Sequence, residues 1–315
     1  MSVLKAEVVA GNAAALEPGL DPAGDPEPGT GSGAPHDQEP THGARRATRI
    51  RRLLRRPTFT VSVVVVLWWI VAAVGWRWFG LDPFAKAGES LAAPGAQHLL
   101  GTDHLGRDVF ARVLAGAEPA LQIGPAGTIL ATVLGSAMGL VAGYYRGWVD
   151  TVFMRVFDVF LALPTLIFLL VVIGAFGSTV PVLTLAVGLL FAPGIARIIR
   201  AAVLVEMGKQ YVTSARMQRE SSWRIVFREL LPNVLPVIIV QATLSLGSAI
   251  FISSSLSFLG LASAPPSPDW GLAINENRVY LQSAWWTIVF PAIGIASLVV
   301  SVNLIADNFK EVFRR

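Results

Sequence analysis

The sequence predicts an all-α polytopic membrane protein with six transmembrane helices. Three observations carry this. Of its 315 residues, 53% are hydrophobic and only 15% are charged, too apolar a balance for an ordinary soluble domain. Six windows of about 20 residues each suffice to cross the hydrocarbon core. The basic residues collect in alternate segments between those windows, as cytoplasmic loops do.

The chain divides into a tail, 1–57, and a membrane domain, 58–315. Residues 1–44 are rich in Gly, Pro, Ala and acid, as in EPGLDPAGDPEPGTGSGAP. Such a segment buries too little apolar surface to offset its ordering entropy and is expected to be disordered. No apolar stretch followed by a cleavage site marks it as a secretory signal. Arg45, Arg46, Arg49, Arg51, Arg52, Arg55 and Arg56 follow, and hold the N-terminus in the cytoplasm beside anionic head groups.

The spans are expected near 59–79, 119–143, 152–175, 181–204, 233–258 and 286–306. An even number of crossings returns the C-terminus to the cytoplasm. With that orientation nineteen Lys and Arg fall inside and five outside (Arg77, Lys86, Arg107, Arg112 and Arg278), leaving aside Lys5 in the tail. The second span carries Gly127, Ala131, Gly135, Gly139 and Gly143 at every fourth position, a small-residue face suited to close packing within the chain or against a partner. Arg155 and Asp158, three apart at the start of the third span, are spaced to pair on one helix face. Asn303 and Asp307 have a similar spacing in the last span. Ser253, Ser254, Ser255 and Ser257 interrupt the fifth. Serines there most often bond the preceding turn or a neighbouring helix; the other reading, for Ser253, Ser254 and Ser257, is a pathway lining.

Between the fourth and fifth spans, about 205–232, lies the charged stretch YVTSARMQRESSWRIVFRELLPN, Tyr211 to Asn233. Its charges oblige it to leave the bilayer. Trp223, Phe227, Leu230 and Leu231, with Val226 alongside, predict one apolar stripe under a charged back.

This stretch resembles the cytoplasmic coupling loop of ABC importer permeases. In that family Glu-Ala-Ala, three residues, Gly and then a Leu-Pro ending are usual. Here Thr213, Ser214 and Ala215 stand at Glu-Ala-Ala, Arg219 stands at the Gly that turns between two short helices, and Leu230-Leu231-Pro232 closes the pattern. Three further stretches, HLLGTDHLGRDVFAR (98–112), GYYRGWVDTVFMRVFDVFLALP (143–164) and LSFLGLASAPPSPDWG (256–271), resemble in order and spacing the C-type permease subunit of dipeptide, oligopeptide and nickel ABC importers. The resemblance runs from about Leu81 to Arg315.

It implies a type I importer permease fold in a bacterial inner membrane, with a second, B-type permease, ATPase subunits below and an extracytoplasmic binding protein above. Residues of about 80–118 would form an extracytoplasmic loop. Ser214, Ala215, Arg216, Gln218, Arg219, Glu220, Ser221 and Ser222 would meet the ATPase, with Ala215 in a groove of that partner and Arg219 at its rim. Many relatives carry Glu where Ser253 stands, so an uncharged pathway is a departure. Peptides would be the cargo, with nickel chelates, haem-like and glutathione-like ligands as alternatives.

What the sequence lacks narrows the chemistry. It has no phosphate-cradling GxxxxGK[ST] loop, no HExxH pair and no GxSxG elbow, so no catalytic or cofactor site is expected, and ATP and Mg would be bound by partner subunits. His98, His104, Asp103 and Asp108 match no metal motif and read as structural loop residues. With no cysteine in the chain, disulfides and thiolate metal sites are excluded. Basic residues without interleaved aromatics argue against nucleic acid and for lipid. A secondary transporter would carry ionisable groups at mid-depth, whereas here they lie near span ends. A membrane enzyme would need a reactive constellation, which is missing.

Overall fold

The computed structural model describes residues 56–314, so the readings of residues 1–44 and of the arginines before Arg56 lie outside the described residues. Ten helices organise the rest: α1 (Pro57–Gly75), α2 (Val109–Ala115), α3 (Ala117–Tyr145), α4 (Gly147–Ala162), α5 (Thr165–Phe176), α6 (Val180–Glu206), α7 (Gln210–Met217), α8 (Leu231–Phe258), α9 (Trp270–Asn277) and α10 (Trp286–Arg314). Short helical turns at Trp76–Phe79, Ser222–Leu230 and Arg278–Tyr280 complete them. Five of the expected spans are single helices within a few residues of the predicted bounds. The protein is an all-α polytopic membrane protein.

The third span differs from expectation. Instead of one helix over 152–175, α4 and α5 meet at a bend of 91°. The cause is Pro164, which has no N–H to donate and disfavours helical backbone in the residue before it. Leu163 accordingly sits extended at φ −76 and ψ 130.

The bent pair still carries the chain across the bundle, because α3 and α6 pack side by side in the same direction. Gly127 lies against Val187, Gly135 against Ala192, Gly139 against Ala196 and Gly143 against Val203. That contact runs for about 24 Å at the helical rise of 1.5 Å per residue. Two parallel neighbours require the chain between them to travel back, and residues 147–176 do so. α8 then runs antiparallel to α10, and α10 antiparallel to α1. Arg56 at the start of α1 accordingly pairs with Glu311 at the end of α10, Nη2 to Oε1 at 2.7 Å. The start of α1 and the end of α10 thus share the face that carries residues 206–230.

The small-residue face of α3 is used within the chain. A Cβ on Gly135 would lie 2.7 Å from Ala192 O, and one on Gly139 only 2.6 Å from Ala196 O. These are backbone atoms and cannot swing aside. Gly139→Val should therefore cost about 2 kcal/mol or more by overpacking and lower the thermal midpoint in detergent. Gly174→Ala is the control: an added Cβ there meets nothing within 4 Å, and the midpoint should hold or rise.

The opposite face is covered by a folded cap made of residues 81–116 and α9. Three indoles with satisfied N–H groups knit this region: one bonds span to span, one bonds within the cap and one bonds the cap to α10, while the Trp69 and Trp270 rings meet edge to face at 4.8 Å. Trp69 Nε1 donates to Ser297 Oγ at 3.0 Å, Trp270 Nε1 to Val113 O at 2.8 Å, and Trp286 Nε1 to Thr102 O at 3.2 Å. Beneath them lies a buried charge network. Arg107 Nε donates to Asp103 Oδ2 at 2.6 Å, while Arg107 Nη2 and Arg112 Nη2 reach Glu276 Oε2 at 2.8 and 3.2 Å. His98 Nδ1 faces Asp108 Oδ2 at 3.0 Å, and His104 Nδ1 faces Asn277 Oδ1 at 3.0 Å and stacks on Tyr280. The histidines thus tie the loop to itself and to α9.

Asp158 does not pair along its own helix. Its partner is Arg197 of α6, at 2.7 Å, because α4 lies across α6 and an interhelical partner is within reach. Asn303 packs over Gly247 of α8, where an added Cβ would sit 2.3 Å from Asn303 Oδ1. Asp307, four residues on, is exposed.

Candidate coupling surface and pathway groove

Residues 206–230 form a compact two-helix hairpin. At its entrance the Glu206 carboxylate accepts from Lys209 Nζ and from Tyr211 OH, both at 2.7 Å, which staples the start of α7 to the end of α6. Burial and the Glu206 carboxylate push the Tyr211 hydroxyl well above its usual range.

α7 ends in a Schellman closure. The Glu220 N–H bonds to Ala215 O at 3.2 Å and the Arg219 N–H to Arg216 O at 3.0 Å. That closure needs a left-handed residue, and Arg219 supplies it at φ 55. The tight turn therefore forms without the usual glycine, at a cost of roughly 1 kcal/mol for a side chain in this region. Arg219→Gly should remove that cost and raise the thermal midpoint of the hairpin slightly, with coupled activity retained. A lower midpoint would mean that the arginine side chain holds the turn.

Beyond the turn, the chain winds through Ser222–Arg224 and then a wider π-helical stretch, Ile225–Leu230, into α8. The change of pitch splits the stripe expected from Trp223, Phe227, Leu230 and Leu231 with Val226. Ile225, Val226 and Leu230 point inward and join Met207, Val212 and Ala215 in one apolar cluster. Trp223 and Phe227 point outward, with rings 3.9 Å apart, and Trp223 is 73% exposed.

The residues assigned to the coupling surface divide the same way. Ser214, Arg216, Gln218, Arg219 and Ser221 are exposed, and Glu220 and Ser222 are half-buried. Ala215 is buried, and what covers it is the hairpin's own core rather than an open groove for a partner. The reason is spacing: Ala215 lies three residues after Val212 and shares its inward face. Arg216 places its guanidinium 5.5 Å from the ring centre of Tyr144, joining the hairpin to the end of α3. Met217, 79% exposed, adds a third apolar side chain to the outward face.

Ser253, Ser254 and Ser257 face inward as well. A Cβ on Gly271 would approach Ser254 O to 2.1 Å, so α9 lies directly on this part of α8. Ser257 Oγ donates to Asp269 Oδ2 at 3.0 Å, while Asp269 Oδ1 caps α9 by accepting from Leu272 N at 3.1 Å. Burial pushes the Asp269 carboxyl up, and these hydrogen bonds oppose the shift. Ser257 thus bonds the residue that caps α9, Ser254 meets α9 through its backbone, and Ser253 is buried.

The hydroxyls open to the surface are others. Thr165 of α5, Ser248, Phe251 and Ser255 of α8, and Asn303 of α10 line a groove of about 520 Å³. None of these side chains is ionisable. Ser248, Phe251 and Ser255 recur at helical spacing on one face of α8, a signal present in the sequence but hidden by the denser serine run after them.

Comparison with known proteins agrees with this architecture. Residues 135–315 match the family described as binding-protein-dependent transport system inner membrane component. The chain is 33% identical over 288 residues to a dipeptide transport system permease protein of Alkalihalophilus pseudofirmus, covering 91% of this chain and 94% of that one. It is 36% identical over 264 residues to a putative peptide transport system permease protein of Brucella suis, covering 83% and 89%. A glutathione transport system permease protein of Pectobacterium atrosepticum is 36% identical over 218 residues, covering 69% and 72%. With five apolar helices and a bent pair that completes a sixth crossing, the chain belongs to the binding-protein-dependent transport system inner membrane component family, as a permease subunit of the type I ABC importer kind.

Proposed function

We propose that this chain is one of two permease subunits of an ATP-driven importer of dipeptides or oligopeptides, glutathione-like peptides among them. A second, similar permease completes the pathway, separate ATPase subunits bind ATP and Mg, and an extracytoplasmic binding protein delivers the ligand to the cap. The observation that carries this is the hairpin at 206–230. It is a rigid projection with its own core, yet it turns Met217, Trp223 and Phe227 outward among Arg219, Arg224 and Arg228. Exposed aromatic and methionine side chains rimmed by charge mark a protein contact.

The hairpin face is the cytoplasmic one, since the basic residues concentrate there, and Arg56 and Glu311 lie on that side. The groove beside α5, lined by hydroxyls and an amide, is this subunit's share of the pathway. Its uncharged walls suit a zwitterionic peptide that must leave as readily as it enters. ATP binding draws the ATPase subunits together, the hairpins follow, and the spans exchange between two packings.

Two experiments test this. Coexpressed ATPase subunits should copurify with the chain, and vesicles holding the complex with its binding protein should accumulate a labelled dipeptide only when ATP is supplied. A complex that hydrolyses ATP without accumulating any peptide would redirect the substrate reading to other cargo. Because the chain has no cysteine, Met217→Cys and Ser267→Cys can be labelled singly by an impermeant reagent. They should react from opposite sides of the membrane, with Met217→Cys on the cytoplasmic side; reaction from one side would overturn the crossing count.

A further inference from the structure

Within the bent pair, α5 packs on α6 through an apolar cluster of Leu169 and Ile173 with Leu183 and Ala186, whereas α4 is bound to α6 mainly by charge. Of the residues of α4, Phe157 is the buried one, while Val152, Val156 and Val159 are largely exposed. Apolar packing alone would hold α4 weakly. Arg200 of α6 grips Asp150, in the first turn of α4, with two parallel bonds: Nη2 lies 2.5 Å from Oδ2, and Nε donates to Oδ1. Two turns further along α4, Asp158 Oδ1 accepts from Arg197 Nη2 at 2.7 Å. Arg197 and Arg200, one turn apart on α6, thus reach two points of α4 and fix its register as well as its distance. The fork of an arginine on a carboxylate resists sliding in a way that a single bond does not.

These pairs stand between two parts of the site. On one side, α6 ends at Glu206, whose carboxylate holds Lys209 and Tyr211 at the root of the hairpin. On the other, α4 passes through the break at Leu163 and Pro164 into α5, whose first residues, Thr165 and Leu166, line the groove. The glycine contacts make α3 and α6 one body, which meets α5 through Leu169 and Ile173 and meets α4, the half without such a core, through the ion pairs.

We propose that the Asp150–Arg200 pair, with Asp158–Arg197 beside it, is a strut through which α6 carries hairpin motion into the bent pair and so to the groove wall. The strut rests on the reading of the chain as a coupled permease. Asp150 and Arg200 are positioning residues: they touch no cargo, and their role is to make one displacement follow another.

The test uses the full complex in lipid nanodiscs, with spin labels on cysteines placed at Val64 of α1 as reference and at Val171 of α5 or Met217 of the hairpin, all of them exposed. Distances are compared without nucleotide and with ATP and vanadate. In the parent, both the Val171 and the Met217 labels should shift relative to Val64. In Asp150→Asn the Met217 label should still shift, while the ratio of shifted to unshifted Val171 labels falls by roughly three- to tenfold. Joining Asp150→Arg to Arg200→Asp should restore it. Asp158→Asn, at the more exposed pair, should act in the same direction but less. A Val171 response in Asp150→Asn equal to the parent's overturns the strut, as does a double swap no better than either single change. A parent complex whose Met217 label ignores nucleotide sinks the coupling reading itself, and the strut with it.

Discussion

Asp103→Ala should loosen the cap on the face opposite the hairpin and destabilise the protein by about 3–5 kcal/mol, the cost of stripping one partner from a buried charge pair. The Asp103 side chain is only 2% exposed and accepts four bonds or contacts: from Leu105 N and Arg107 N at 2.9 Å, from Arg107 Nε at 2.6 Å, and from Arg112 Nε at 3.7 Å. Without it, two buried guanidinium groups would share the one carboxylate of Glu276, with Ser267 O as the further acceptor of Arg112. Relaxation and entering water can lessen the charge cost, but the two backbone N–H groups would also lose their acceptor. Asp103→Asn keeps an acceptor for the backbone and removes the charge, so it should fall between the parent and Asp103→Ala. The measurement is the thermal midpoint in detergent together with proteolysis within residues 81–116. A parental midpoint and an uncut loop in Asp103→Ala would show that the indole contacts alone hold the cap.

This cap shows where the sequence was readable and where it was not. The spans were legible because lipid leaves one solution for a long apolar run, a helix with its own backbone bonds satisfied. Pro164 lies within the span expected at 152–175, but a proline in a span does not announce a bend of 91°, since the angle is set by how α4 and α5 pack on α6. The glycine face of α3 was readable as a packing face. Its partner was not, because α6 offers Ala192 and Ala196 beside much larger residues, and backbone approach leaves no mark of its own. The pairing of Asp158 with Arg197 rather than Arg155 has the same origin: local spacing is visible, and crossing helices are not.

The hairpin was legible in outline through its charge and its Leu-Pro ending. Two local features overrode the pattern. Arg219 adopts the left-handed backbone that the position requires, although glycine would do so at less cost. The π-helical stretch from Ile225 changes the residues per turn, so a stripe drawn at the α-helical period assigns Trp223 and Phe227 to the wrong side. The serines were legible as packing residues, though not which element they would meet. Of the two readings of Ser253, Ser254 and Ser257, their burial and the Ser257–Asp269 bond agree with packing against a neighbouring helix, and that helix, α9, joins residues far from helical spacing.

Ala215→Glu should abolish coupled transport while leaving insertion and cap intact. Ala215 is 8% exposed and sits with Val212, Ile225 and Val226 in the core that holds the two arms of the hairpin together. A carboxylate there either stays buried and unpaired, at a cost of about 3–5 kcal/mol, or drags α7 away from Ile225 and Val226 to reach water. The second path is open because the hairpin lies at the surface, and it displaces the outward face that carries Met217, Trp223 and Phe227. The spans need not notice, since the α3–α6 contact lies elsewhere. Thr213→Glu places the same charge two residues earlier on the exposed side of α7, at the position where Glu is usual in the family, and should be nearly neutral, which separates the effect of burial from that of charge. Both variants are compared with the parent in reconstituted vesicles for ATP hydrolysis and labelled dipeptide uptake, after equal insertion has been verified. Uptake should fall at least about tenfold in Ala215→Glu, the loss that 1.4 kcal/mol of misplaced hairpin would produce. If Ala215→Glu transports like the parent, residues 206–230 are not the element that couples ATP to transport.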